Sequence, residues 1–391
     1  MNKPFSAVTE FVHSYVHSGK CAGMQVLVSI KGDTKIKLEQ GCLDKENNRP
    51  LREDSIFRIY SMTKPVTSVA IMQLMEKQEL ALDDPAKKWI PKIARLKVHK
   101  QGPLVNDITI RQLLTHTAGF SYGFYPEEIE IDQDYQVLWK NKSQFNSLDS
   151  IIDAALDIPL LAQPGTMWHY SIATDICGHL VELISGQTLE DYFQEHIFSP
   201  LGMSDTAFWI SEDKLDRFTM LYGVDENQQL VPAESRQTSP FIPSHSKESL
   251  RWCSGGGGLV STASDYWRFA QMMLNQGELD GAKILSPHSV QQMTQNQVSQ
   301  ELLPLSFNGI ARGEYSSYGF GLGYGITMNT EDIAASGSIG DFGWGGLADT
   351  YCWIDPQNEL VAILMQQVMP SLHFNGRRDF RNAVYKDLEE L

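Results

Sequence analysis

Strand-type segments stand at both ends of this 391-residue chain, and helix-type segments fill the stretch between them. Residues 24–30 and 34–40 alternate as two strands joined by a turn at Lys31-Gly32-Asp33. Residues 319–327, 348–354 and 360–366 read as strands again, the last two joined by Asp355-Pro356-Gln357-Asn358. Unpaired strands are not stable alone, so one antiparallel sheet built from both termini and flanked by helices is the expected frame. Residues 1–80 and 255–391 would form a discontinuous α/β sheet domain, and residues 81–254 a mainly helical inserted domain, with the active site between them. Amphipathic helices over 5–17 and 379–391 would close the two ends.

A helix expected over 61–77, after a strand at 56–60, carries the most suggestive chemistry. Val66, Val69, Ala70 and Leu74 set one apolar stripe, and Ser61 and Lys64 share a face of the first turn. Pro65 is tolerated there because the first amides have no intrahelical partner. A lysine so placed is partly desolvated and sits near the positive end of the helix dipole, which lowers its proton affinity and suits it to act as a base toward Ser61. By itself the spacing also fits an N-cap serine with a surface lysine. The same S-x-x-K pattern recurs at Ser211-Lys214, which reads as a helix cap, and at Ser244-Lys247, in a polar loop; only Ser61 precedes a long buried-type helix.

Gly119-Phe120-Ser121-Tyr122-Gly123 matches the G-x-S-x-G elbow, which requires a strand before it and a helix after it. Here a helix over 108–116, capped by Asp107, precedes it and an acidic loop follows, so Ser121 is not expected to be the nucleophile. Gly255–Gly258 lacks the G-K-[ST] of a phosphate loop and reads as a site of close backbone packing. His13 and His17 are four apart, yet no glutamate follows His13, so a surface helix is expected rather than a metal site. Tyr170-Ser171-Ile172 opens an apolar-striped helix ending at Gly186, and Thr188 caps the next.

A formal net charge of -16 repels phosphate backbones and anionic membrane surfaces, which excludes nucleic acid as an expected partner. Five dispersed cysteines in apolar or small-residue surroundings read as buried free thiols of a reducing, cytoplasmic compartment. No secretion-leader core stands near the amino terminus, and no run approaches the roughly twenty apolar residues of a membrane span.

With Ser61-Met62-Thr63-Lys64, Tyr170-Ser171 and a glycine-rich strand near the carboxyl end, the chain resembles the class C β-lactamase superfamily of serine hydrolases, most closely its family VIII carboxylesterases. Leu113-Leu114-Thr115-His116-Thr117-Ala118-Gly119, Gln163-Pro164-Gly165, Pro200-Leu201-Gly202-Met203, residues 256–264 and Gly343-Trp344-Gly345-Gly346 extend the likeness over nearly the whole chain. The resemblance implies an α/β (α+β) fold of the β-lactamase/penicillin-binding-protein type. It implies Ser61 as nucleophile, Lys64 as its helper, Tyr170 as third catalytic group, and the backbone N–H groups of Ser61 and Leu347 as the oxyanion hole. Tyr122, Phe120, Ile172, Trp344, Gly345 and Gly346 are expected to line the substrate pocket; no metal and no cofactor is called for.

Two departures shape the expected specificity. Ile172 stands where the lactamases carry an asparagine, and Trp344-Gly345-Gly346 replaces their K-T-G, removing a cation that would meet a β-lactam carboxylate. The expected activity is hydrolysis of short, uncharged carboxylic esters through an acyl-enzyme, with a small-molecule ester as partner. Acyl transfer to a small alcohol, β-lactam or D-alanyl peptide processing, and a non-catalytic binding role are the competing readings; the oligomeric state is left open.

Overall fold

Among the residues described by the computed structural model (5–125, 127, 129–233, 246–305, 317–330 and 335–391), strands from both ends of the chain share one antiparallel sheet. β1 (Gly23–Ile30), β2 (Asp33–Asp44) and β3 (Arg49–Pro50) come from the amino-terminal part. β4 (Tyr318–Phe320), β5 (Gly325–Thr327), β6 (Phe342–Gly345), β7 (Tyr351–Asp355) and β8 (Leu360–Met365) come from the carboxyl-terminal part. Their spatial order is β4-β5-β6-β7-β8-β1-β2-β3. The two ends of the chain meet where β1 pairs with β8, with Val26 opposite Leu364 and Val28 opposite Ala362.

Five helices matter for the site: α1 (Ser6–His17), α2 (Thr63–Glu76), α3 (Ala173–Ser185), α4 (Ala263–Leu274) and α5 (Gly376–Glu389). Side chains alternate across a strand, and β8 sorts them cleanly. Leu360, Ala362 and Leu364 join Val8 and Val12 of α1 and Phe380 and Val384 of α5. Val361, Ile363 and Met365 join Val66 and Val69 of α2 and Phe269 and Met272 of α4. Helices on both faces bury every residue of β1 and β8, and each such Val, Leu or Ile contributes about 1.5–3 kcal/mol.

The structure corrects several local expectations. α2 is buried on all sides from Thr63 to Leu74, polar Lys64, Thr67, Ser68 and Gln73 included, instead of facing inward along one stripe. It packs closely against α3 and shares one core with Val361 and Ile363 of β8 and Phe269 of α4. The strand expected at 56–60 shrinks to Phe57–Arg58, paired with Val260–Ser261, because the chain must reverse at Tyr60. There φ is 45°, an uncommon value for a residue with a side chain, held while the ring is buried beside Leu221 and Ala348. The helix expected over 108–116 is Ile110–Leu114, capped by Thr109 in a capping box with Gln112; Asp107 instead pairs with Lys87 at 2.8 Å. Gly186 and Thr188 do end and begin helices as expected. No helix among the described residues is long and apolar enough to cross a membrane.

Candidate active site

Ser61 lies in a 3-10 turn, Tyr60–Met62, that runs into α2, two residues before the α-helix in which the sequence put it. The turn still brings Lys64 round to it: Nζ donates to Ser61 Oγ at 3.3 Å. Nζ also donates to the Gly256 carbonyl at 2.6 Å and the Tyr122 hydroxyl at 3.2 Å, and it stands 4.5 Å from the centre of the Tyr170 ring. Lys64 has no accessible surface. Burial lowers its pKa from 10.5 to about 7, against the opposing pull of Asp175. Near neutral pH, then, a large share of Lys64 carries a free electron pair within reach of the Ser61 proton.

Two tyrosines flank this amine, and their partners distinguish them. Tyr122 donates to Asp175 Oδ2 at 2.9 Å, and burial, reinforced by that carboxylate, raises its pKa well above 10. Its proton is committed to Asp175, so it serves as a fixed acceptor for Lys64. Tyr170 instead accepts from the Trp344 indole N–H at 3.1 Å. The stretch carrying Tyr170 is fastened on either side: the His169 N–H donates to the His116 carbonyl at 2.8 Å, and the Ile172 N–H to the Ser121 carbonyl at 3.2 Å. The Ser171 N–H donates to His116 Nδ1 at 3.3 Å.

Asp175 was not anticipated from the sequence. It sits in the first turn of α3, where the helix dipole favours a carboxylate, and it also accepts from Ser254 Oγ at 2.5 Å and the Gly256 N–H at 3.0 Å. A lone acid in the otherwise uncharged run Ile172-Ala173-Thr174-Asp175-Ile176 was the available signal. The glycine run is explained at the same place, since a Cβ on Gly256 would overlap the Tyr122 hydroxyl and the Asp175 carboxylate, and one on Gly255 would press to 2.9 Å from the Thr174 carbonyl. Close packing is what those glycines permit.

Ser121 has serine-protease neighbours in the wrong order. Its hydroxyl donates to Asp132 and also meets His169 Nε2 at 3.0 Å, while His169 Nδ1, where a triad would hold the acid, has no hydrogen-bond partner. Ser121 is 1% exposed, and burial lowers the His169 pKa to about 4. Asp132 also accepts the Tyr125 N–H at 2.9 Å, so the cluster braces the loop that carries Tyr122 and Phe124. Ser211 heads a 3-10 turn, Glu212–Arg217, whose Lys214 is spent on Asp205 at 2.9 Å; Ser244 lies outside the described residues. His17 Nδ1 meets the His13 carbonyl at 2.8 Å, and among the described residues no group of three or more His, Cys, Asp or Glu could hold a metal.

The pocket wall differs from expectation. Phe120 and Ile172 have no accessible surface and are packed into the hydrophobic core, so neither offers a face to a substrate. Tyr122 and half-buried Trp344 remain, the latter edge-on to Phe320 with ring centres 5.2 Å apart. Phe124, not predicted, is 47% exposed and stacks on Tyr122 at 5.2 Å, which makes it the aromatic rim. Gly345 lies against the Arg377 guanidinium, and Gly346 against the Ile59 carbonyl, where a side chain would overlap it. Leu347 packs its side chain with Tyr60 and Ala348, next to the turn that holds Ser61.

A serine and a buried lysine from one stretch thus meet a tyrosine from another, and the sequence model of the beta-lactamase family matches residues 8–386. The chain belongs to the beta-lactamase family. Protein Rv1367c of Mycobacterium tuberculosis is 34% identical over 348 residues, spanning 85% of this chain and 82% of its own. Esterase EstB of Burkholderia gladioli is 28% identical over 359 residues, spanning 88% of this chain and 86% of its own. The solved structure of EstCE1, a hydrolase with promiscuous acyltransferase activity, matches with a TM-score of 0.81 at 23% identity over 97% of each chain, a likeness of fold. This beta-lactamase-family chain therefore has the mixed fold of that family, an antiparallel sheet with helices on both faces.

Proposed function

We propose that this chain is a serine carboxylesterase that cleaves short, uncharged esters through an acyl-enzyme on Ser61. The observation that carries the reading is Lys64 Nζ, without accessible surface and with its pKa lowered to about 7, at 3.3 Å from Ser61 Oγ. The Ser61 proton passes to the Lys64–Tyr170 pair as Oγ bonds to the ester carbonyl carbon, and the carbonyl π electrons move to oxygen. The N–H groups of Ser61 and Leu347 receive that oxyanion. As it collapses, the carbon–alkoxy bond breaks and the pair returns the proton to the departing alcohol. Water then repeats the sequence on the acyl-enzyme. The division into residues 1–80 with 255–391 and 81–254, with the site between, and a cytoplasmic location suited to five unpaired thiols, belong to the same proposal.

Trp344 supports the preference for neutral esters: its indole N–H is engaged with Tyr170, leaving an apolar face where a lactamase would present a cation. A missing charge-assisted pair costs about 1.5–3 kcal/mol, roughly 10- to 150-fold in kcat/KM when it acts in the transition state. Hydrolysis of p-nitrophenyl butyrate compared with a chromogenic cephalosporin tests this. The expected result is a much larger kcat/KM for the butyrate; equal or faster cephalosporin turnover would overturn the esterase reading. Acyl transfer to a small alcohol is a second reading, favoured by exposed Phe124 at the rim, an apolar surface on which an alcohol competes with water.

A further inference from the structure

Arg377, in the first turn of α5, reaches to the end of β6. Its Nη2 donates to the Gly346 carbonyl at 2.5 Å, and its Nε lies 2.9 Å from Asp349 Oδ1. The ion pair is withdrawn from water, the side chains being 14% and 4% exposed, and Asp349 is held by Gln366 Nε2 at 2.7 Å and the Leu372 N–H at 3.3 Å. The Asp349 N–H donates to the same Gly346 carbonyl at 3.0 Å, closing a tight turn. A methyl group at position 345 would overlap the guanidinium. Because side chains alternate along a strand, position 345 faces away from Trp344, which points to Tyr170. Arg377 therefore stands behind the strand, on the side opposite the substrate.

Gly346 and Leu347 share one peptide group. In a trans peptide the N–H points opposite to the carbonyl, so tying the Gly346 oxygen toward Arg377 turns the Leu347 N–H the other way. On its other side Gly346 abuts the Ile59 carbonyl, where Thr350 Oγ1 also donates at 3.3 Å, two residues before Ser61. We infer that Arg377 is a positioning residue for the oxyanion hole: it orients and polarises the Gly346–Leu347 peptide so that the Leu347 N–H is presented to the oxygen that becomes negative on attack by Ser61. A guanidinium on the carbonyl draws electron density through the amide and strengthens its N–H as a donor when charge develops. The two adjacent glycines then have separate tasks, Gly345 admitting the guanidinium and Gly346 admitting the Ile59 carbonyl. The inference rests on the acyl-enzyme reading above and adds a residue to it.

The test uses the full chain with Arg377→Ala and Arg377→Lys, and Ser61→Ala as the control. Three quantities are read: kcat and KM for p-nitrophenyl butyrate, inhibition by an alkyl trifluoromethyl ketone as a tetrahedral mimic, and recovery on adding a non-denaturing concentration of guanidinium chloride. Arg377→Ala should lower kcat about 10- to 100-fold, with KM changed less than about threefold, and weaken the ketone by a similar factor. Arg377→Lys should fall between, and guanidinium should restore part of the Arg377→Ala loss. Should Arg377→Ala fail to fold, the kcat and ketone comparison is decided on Arg377→Lys. Turnover by Ser61→Ala would bring down the acyl-enzyme reading and this inference with it. An inactive Ser61→Ala beside an arginine variant with unchanged kcat and ketone affinity would overturn this inference alone.

Discussion

The Tyr122 hydroxyl donates to the Asp175 carboxylate at 2.9 Å, which leaves it an acceptor toward the Lys64 amine. Tyr122 keeps its proton because burial and Asp175 both disfavour the phenolate. Tyr170 accepts from the Trp344 indole N–H at 3.1 Å.

The two phenylalanine substitutions should therefore behave differently. Tyr170→Phe should lower kcat/KM by about 100- to 10,000-fold at every pH, as expected for loss of a group that moves the proton. Tyr122→Phe removes the hydroxyl between Lys64 and Asp175, so the carboxylate acts more directly on the amine and raises its pKa. Its acid limb should move to higher pH, with activity recovering there. Full pH–rate profiles of both variants check this; identical losses at all pH values would show that the two hydroxyls are not distinguished by Asp175.

Lys64 links activity to stability with opposite demands. In the wild type kcat/KM should rise with pH through about 7 as Lys64 loses its proton. Its folded pKa lies below the unfolded value of 10.5, so between about 7 and 10.5 the unfolded chain binds the extra proton. Stability contributed by this group therefore rises with pH across that window, and the cost of burying the amine is greatest below it. Lys64→Met should be inactive yet gain stability, on the order of a few kcal/mol at pH 6 and less at pH 9. Thermal unfolding at the two pH values is the measurement, and a larger gain at pH 9 would reverse the assignment.

Gly256 joins the parts of this network. Gly256→Ala would drive a methyl group into Tyr122 and Asp175 and displace the carbonyl that holds Lys64. A cost of about 1–3 kcal/mol in stability and about 100-fold in kcat is expected. Near-normal kinetics in a folded Gly256→Ala protein would mean that the Lys64 position does not depend on this contact.

Much of this arrangement is legible in the chain itself, for identifiable reasons. β1 and β8 are fully buried, largely apolar strands near the two ends, and the turn leading into α2 keeps residues three apart together, so the Ser61–Lys64 contact follows from spacing once that helix is recognised. Tyr170 was reached by likeness to a family, since nothing local in Tyr170-Ser171 requires chemistry. Phe120 and Ile172 were misplaced because adjacency to Tyr122 and Tyr170 says nothing about which way a loop turns its side chains. Asp175 and Arg377 were missed because each acts across a long separation in sequence, Arg377 reaching Gly346 at the end of β6 from α5, and Phe124 because nothing local shows that its ring stays exposed. Ser121 shows the converse: its motif is local and complete, but the fold buries it and gives its histidine no acid.

The identity of the nucleophile can be read directly by labelling the protein with a fluorophosphonate and mapping the modified peptide. The label should sit on Ser61, disappear in Ser61→Ala, and persist in Ser121→Ala, whose effect should show instead as about 1–3 kcal/mol of lost stability because Asp132 Oδ1 loses its donor. A label on Ser121, or one that survives Ser61→Ala, would contradict the assignment of Ser61 as the residue that carries the acyl group.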